Sequence, residues 1–211
     1  MKKITAAVSI IFILVAALSA GAWKLARNEA GIKIYTQNVE GQALDKFKAV
    51  GMVNASVAVI VEVLKDVNNY HHWYGDCKSQ KEIKKYSPLE TLVYHVQKVP
   101  VISNRDVVVR GKITVNYKKG TATQVMRAVK SRVGKDSGNV RMPFMEGSFI
   151  LKQLSPHSTH VTYTMLANPG GSVPTWLASG TAKKQPFKTL TGLRKVVKNP
   201  KYAALAKKAV K

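Results

Sequence analysis

The sequence predicts an α+β fold in which a curved antiparallel sheet is covered on one face by a long C-terminal helix. Three observations carry this. Six strand-like segments follow one another between Lys78 and Ala167 with no helical pattern among them, and strands in direct succession pair antiparallel. Two alternating segments and a short helix precede them. The last long element, Val173 to about Lys198, reads as a helix, and it alone is long enough to cover such a sheet.

Before the fold comes a leader. Lys2 and Lys3 are followed by the apolar run Val8 to Leu18 and the small residues Ser19-Ala20-Gly21-Ala22. That is the layout of a secretory signal, with cleavage expected before Trp23. The apolar core is shorter than the roughly 20 residues that span a bilayer. An exported bacterial protein, periplasmic or secreted, is therefore expected, with an uncleaved membrane anchor as the alternative. Residues 1–22 are read as signal, 23–198 as one domain and 199–211 as a basic tail.

"GIKIYTQNV" and "DKFKAVGMV" alternate apolar with polar and read as two strands joined by a short turn. Ser56 then caps a helix whose Val57, Ile60, Val61 and Leu64 fall at helical spacing. Asn68 to Trp73 adds a second, shorter helix. The six strands are "KSQKEIKKYS", "TLVYHVQKV", "RDVVVRGKITVNY", "ATQVMRAVK", "EGSFILKQL" and "THVTYTMLA". Ser-Pro, Lys-Lys-Gly, Lys-Asp-Ser-Gly and Ser-Pro-His-Ser punctuate them, residues that tolerate or pre-set turn geometry. In "NPGGSVPTWLASG" the pair Gly170-Gly171 makes a strand-to-helix corner, with Ser172 as helix cap and Pro174 in the first turn. A phosphate loop is excluded because no Gly-Lys-Ser/Thr follows. Val173, Trp176, Leu177, Leu190 and Val197 fall near one stripe of the last helix, with Phe187 close by, and Pro186 should kink it or open one turn. "KNPKYAALAKKAVK" reads as an amphipathic segment or as disordered, with disorder or a frayed helix preferred.

Charge limits the partners. The chain of 211 residues carries +23, about +21 without Lys2 and Lys3, and from Gly147 onward eleven Lys and Arg face no acidic residue. Such a surface attracts polyanions, and after export these are anionic membrane headgroups rather than nucleic acid. Lys183, Lys184, Lys188, Arg194 and Lys195 are the docking candidates. The single cysteine, Cys77, forms no internal disulfide and reads as a structural thiol. The histidines His71, His72, His95, His157 and His160 lack metal-ligand spacing, so neither metal nor cofactor is expected. A monomer is expected.

Five separated pieces in order resemble one family, the START (steroidogenic acute regulatory-related lipid transfer) domain. They are "WKLARNEAGIKIY", "DVNNYHHW", "VPVISNRD", "VRMPFMEGSF" and "YTMLANPGGSVPTWL". The resemblance implies a helix-grip fold, the sheet wrapping the C-terminal helix around a buried tunnel. It also implies non-catalytic binding of one lipid or other apolar molecule, transferred or sensed, with the helix and the loop 99–104 as gate. Some sterol-type members carry an acid–base pair in the tunnel. Here Val96 stands where the acid is expected, and Arg110 follows Arg105 by five residues, which puts the two on opposite strand faces. A bulge would return Arg110 to the tunnel, so its facing stays open.

The residues placed at the ligand are Trp73, Tyr94, His95, Arg110, Tyr163, Met165, Trp176, Leu177 and Phe187, with Val101 and Ile102 at the mouth. Two other classes compete with a carrier. A cyclase, hydratase or hydrolase on the same scaffold would need an acid or base in the cavity, drawn from His95, Asp106, Arg110 and Tyr163. A surface adaptor would use the basic helix and tail to bind polyanions without any internal ligand.

Overall fold

Alternation of buried and exposed side chains along successive segments builds one ten-stranded sheet in the computed structural model, which describes residues 21–42, 44–134 and 137–210, apart from the side chains of residues 175–179. The strands are β1 (Lys24–Glu29), β2 (Ile32–Gln37), β3 (Lys46–Val53), β4 (Cys77–Ser87), β5 (Glu90–Gln97), β6 (Arg105–Asn116), β7 (Thr121–Ala128), β8 (Val140–Arg141), β9 (Phe144–Ser155) and β10 (Ser158–Asn168). Their order across the sheet is β1-β2-β3-β10-β9-β7-β6-β5-β4, antiparallel throughout, with the short β8 parallel to β6. The first and last parts of the chain thus meet at the β3–β10 pair, where Tyr163 opposes Ala49 and Met165 opposes Phe47. The expected antiparallel sheet is present. Two strands were not expected, the two-residue β8, too short to show any alternation, and β1. The latter is an edge strand without buried residues, so it has no alternation to read, and it turns back to β2 through Ala30 and Gly31, both at positive φ.

Helix α1 (Val57–Lys65) starts as expected, the Ser56 hydroxyl accepting from Val59 N at 3.3 Å, and it buries Val57, Ile60, Val61 and Leu64. A 3-10 turn (Val67–His72) follows it. Helix α2 (Thr175–Val196) lies against the sheet. Its start corrects the expectation for Ser172: the cap position is Pro174, with no side-chain bond, and Ser172 lies two residues outside. The reason is steric, because the residue before a proline is pushed out of helical conformation, so Val173 cannot join the first turn. The corner itself is as read, with Gly170 and Gly171 both at positive φ. The helix also continues through Pro186 instead of opening a turn there.

The second half of α2 is bolted down. Gly192 packs so close to the Trp73 carbonyl that an added Cβ would overlap it. Gly75 N donates to Thr189 Oγ1 at 3.0 Å, and Lys188 Nζ pairs with Asp76 at 2.5 Å. Arg194 donates to the carbonyls of Met52 (2.8 Å), Ala30 (2.6 Å) and Gly31 (3.2 Å).

Helix α3 (Pro200–Ala209) corrects the reading of the tail as disordered or frayed. Asn199 caps it by accepting from Lys201 N at 3.0 Å. Tyr202 and Ala206 are buried as the helix packs on α1, and the Tyr202 hydroxyl donates to Asp66 at 3.0 Å. Two apolar residues four apart suffice for one docking stripe, although the basic surroundings hide it.

Candidate functional site

Between the concave face of the sheet and the first half of α2 lies a cavity of about 110 Å³. Phe47, Met145, Met165, Val99, Met142 and Val173 supply its apolar wall. Its polar side is Tyr74, His95, Gln97, Tyr163 and Gln185. A second, smaller cavity of about 30 Å³ shares Tyr74, His95 and Met145 with it and adds Tyr70, Gln80 and Gln124. Among the described residues no Asp or Glu lines either one.

The polar groups are held in set orientations. Gln97 Nε2 donates to Gly75 O (3.3 Å) and Gln80 Nε2 donates to Val67 O (3.2 Å), so each amide turns its oxygen to His95. Gln80 Oε1 is 2.9 Å from Nδ1 and Gln97 Oε1 is 3.1 Å from Nε2. Burial pushes the pKa of His95 below its ordinary value, opposed by the Gln97 acceptor. Cys77 Sγ sits 3.7 Å from His95 Nδ1, and burial raises the thiol to about 12, so the pair stays a neutral thiol beside an imidazole. The hydroxyls of Tyr74 and Tyr163 bond directly to each other, and burial raises both pKa values, so both stay protonated.

Arg105, at the mouth, is buried without a carboxylate. Its guanidinium donates to the carbonyls of Ser103 (2.6 Å), Pro169, Gly170 and Ser172 (3.4 Å each), tying the loop 99–104 to the corner before α2. Asp106 points the other way, as alternation requires. It accepts from Arg141 Nε (2.5 Å), Tyr94 Oη (2.7 Å) and Ser137 Oγ (3.0 Å) on the outer face of the sheet. Among the described residues no group of three His, Cys, Asp or Glu could hold a metal ion.

The START domain family model matches residues 4–202. The chain belongs to the START family. A StAR-related lipid transfer protein from Xanthomonas axonopodis, known as a crystal structure, is 34% identical to this START chain, with a TM-score of 0.73 over 84% of this chain and 99% of that one. An uncharacterized protein of Pseudomonas aeruginosa is 31% identical over 173 residues, 82% of this chain and 85% of its own. Mouse phosphatidylcholine transfer protein is 26% identical over 172 residues, 79% of each chain.

Within this START domain the sequence-predicted residues divide sharply. His95, Tyr163 and Met165 line the cavity. Tyr94 does not: it neighbours His95 on a strand, so it faces outward, to Asp106. Arg110 is corrected likewise. The β5–β6 register runs without a bulge, so Arg110 emerges on the outer face, paired with Glu90 and over the Tyr86 ring. Trp73 is buried against Tyr70 and Phe149 in the packed core, away from the cavity. Phe187 lies half-buried, 3.5 Å under the Arg27 guanidinium, because the second half of α2 covers packed strands. Val101 and Ile102 do not line the cavity; Val99 of the same loop does, while Val101 is 87% exposed at positive φ. Trp176 and Leu177 lie in α2, but their side chains fall outside the described residues.

Of the docking candidates, Lys183, Lys184 and Lys195 are exposed, and Lys188 is exposed but paired with Asp76. Arg194 is corrected: it is bonded to three backbone carbonyls and serves the packing of α2. Sequence reasoning missed Phe47, Tyr74, Gln97, Arg105 and Gln185 as cavity residues. Gln97 was legible as the residue two after His95 on one strand face. Tyr74 sits in an irregular turn and offered no periodic signal.

Proposed function

We propose that this START protein is an exported, non-catalytic carrier or sensor that binds one lipid in the cavity beneath the first half of α2. The observation that carries the reading is that cavity: apolar walls with a few oriented polar groups, the usual make-up of a small-molecule site, in a chain whose relatives include a lipid transfer protein from Xanthomonas axonopodis. At about 110 Å³ it is below the roughly 300–1,000 Å³ of such sites, so loading requires it to widen. The gate would be α2 before Gln185 together with the loop 99–104, since the rest of α2 is fixed by Gly192, Lys188 and Arg194. Exposed Lys183 and Lys184 on that half, and Val101 on the loop, would meet an anionic membrane as a monomer docks.

Several features support a non-catalytic role. Asp106 and Arg110 face away from the cavity. His95 is held between the Gln80 and Gln97 amide oxygens, and Tyr74 and Tyr163 hold their protons. The export reading rests on the leader of residues 1–22. The test is to strip the mature chain of lipid, mix it with bacterial-lipid vesicles, re-isolate it and weigh it by native mass spectrometry. One lipid per chain is expected, and recovery of empty protein overturns the reading.

A further inference from the structure

The hydrogen-bonding inventory of the cavity specifies the headgroup. Among the described residues four buried side-chain polar atoms lack a partner: Gln42 Oε1, Trp73 Nε1, Gln124 Oε1 and Gln185 Oε1. The last two belong to residues that line the two adjoining cavities, each more than nine-tenths buried.

Neither amide can be turned to remove the problem. Gln185 Nε2 donates to Gly75 O (3.3 Å), and a carbonyl oxygen can face only the NH₂ end. Gln124 Nε2 approaches the Tyr70 hydroxyl (3.4 Å), which has already given its one hydrogen to Leu64 O (3.0 Å) and can only accept. Both glutamines are thus fixed with an acceptor left over. Leaving a buried acceptor unmade is costly, so whatever fills the cavity must supply donors. Water would serve in the empty state, and a ligand that displaces it without replacing its bonds loses affinity.

The Tyr74–Tyr163 pair adds the complementary need. Two hydroxyls have two hydrogens and their mutual bond uses one, while Gln185 Nε2, with Thr189 Oγ1 at 3.1 Å and Gly75 O at 3.3 Å, meets Tyr163 only at 3.5 Å and as a donor. One hydroxyl hydrogen is therefore left for an acceptor beside the Gln185 oxygen. A hydroxyl both donates and accepts through one atom and without charge, which makes an alcohol the simplest lipid group to meet both needs. Arg105, the cation at the mouth, spends four of its five N–H donors on backbone carbonyls, so most of its donor capacity goes to the fold and not to a headgroup.

We infer that the ligand is an uncharged lipid alcohol, its hydroxyl donating to Gln185 or Gln124 and accepting from the Tyr74–Tyr163 pair. The inference rests on the lipid-binding reading above and names its ligand class. It separates this chain from the phosphatidylcholine named for its mouse relative, because that headgroup has no N–H or O–H to give.

The delipidated full-length mature chain is offered three vesicle types, each carrying one tracer in the same inert matrix: dioleoylglycerol, its acetyl ester, which has the same chains with the hydroxyl capped, and dioleoylphosphatidylcholine. Capture of the alcohol about tenfold or more above both others is expected, the size of one buried acceptor left unmet. Gln185→Leu or Gln124→Leu, whichever amide receives the hydroxyl, should narrow that preference, since a leucine asks for no donor. Equal or better capture of the ester or of phosphatidylcholine by the wild type overturns the inference while leaving lipid binding intact. So does an unchanged preference in both variants. Capture of none of the three overturns the lipid-binding reading along with it.

Discussion

Asp106 is a carboxylate with almost no solvent contact and three donors, and what it does follows from which face it takes. Burial alone would raise its pKa. The hydrogen bonds from Arg141, Tyr94 and Ser137 and the charge of Arg141 outweigh that and hold it below the ordinary carboxylate value. It therefore ties Ser137 and Arg141 to β6 and to Tyr94 of β5 instead of serving the cavity. Asp106→Ala should cost about 2–4 kcal/mol, toward the lower end because Arg141 is a third exposed and keeps part of its hydration. The pH dependence has a definite sign. With the folded pKa depressed, the contribution is complete above the unfolded carboxyl value and vanishes as pH falls through the lower folded one. Denaturant titrations of wild type and variant should differ at pH 7 and converge below about pH 4; a gap that persists in acid would assign the loss to packing. The sequence made Arg105-Asp106 visible as a pair and alternation showed that only one could face inward. It did not say which, because the facing of β6 is fixed by its register with β5 and β7, which the sequence of β6 alone does not carry.

At the scale of elements, α2 is two structures in one helix. From Gln185 on it is a packing element, and before that it is a cover. The distinction can be tested with two glycines. Gly192 lies under the Trp73 carbonyl, where a methyl has no room, whereas an added Cβ at Gly180 meets nothing within 4 Å. The same substitution should therefore have opposite signs. Gly180→Ala should stabilise by up to about 1 kcal/mol through helix propensity. Gly192→Ala should destabilise by about 1–3 kcal/mol because the overlap outweighs that gain. Thermal melts of the two variants decide it, and two shifts of the same sign would show that the second half of α2 is not clamped as described. Most strands, α1 and α2 were legible because a half-buried strand or helix writes its period into the chain. The elements that escaped lack that record: β1 has no buried face, and α3 buries only Tyr202 and Ala206. The same limit hid the cavity. Tyr74 and Gln185 come together from a turn and a helix 111 positions apart in the numbering, through their shared contacts with Tyr163 and Gly75.

Over the whole molecule the positive charge is not uniform in what it is free to do. Arg194, Lys188 and Lys201 are bonded to carbonyls or carboxylates of the fold, while Lys183, Lys184, Lys207 and Lys208 stand in solvent. If the net charge of +23 acted only as a diffuse field, any pair of exposed lysines would contribute equally to attraction by an anionic membrane. If the membrane meets the mouth of the cavity, the pair on the covering half of α2 must count for more than the pair on α3, which packs on α1. A lysine close to an anionic surface contributes about 1 kcal/mol, and that falls off within a Debye length of about 10 Å at 0.1 M salt. Lys183→Glu with Lys184→Glu should therefore weaken partition onto phosphatidylglycerol-containing vesicles by about tenfold or more at low salt. Lys207→Glu with Lys208→Glu changes the net charge identically and should have a distinctly smaller effect. At 1 M salt, where the screening length is about 3 Å, all three proteins should partition alike. Equal losses from the two double variants would mean that the charge attracts the membrane without orienting the protein, and that α2 does not face it.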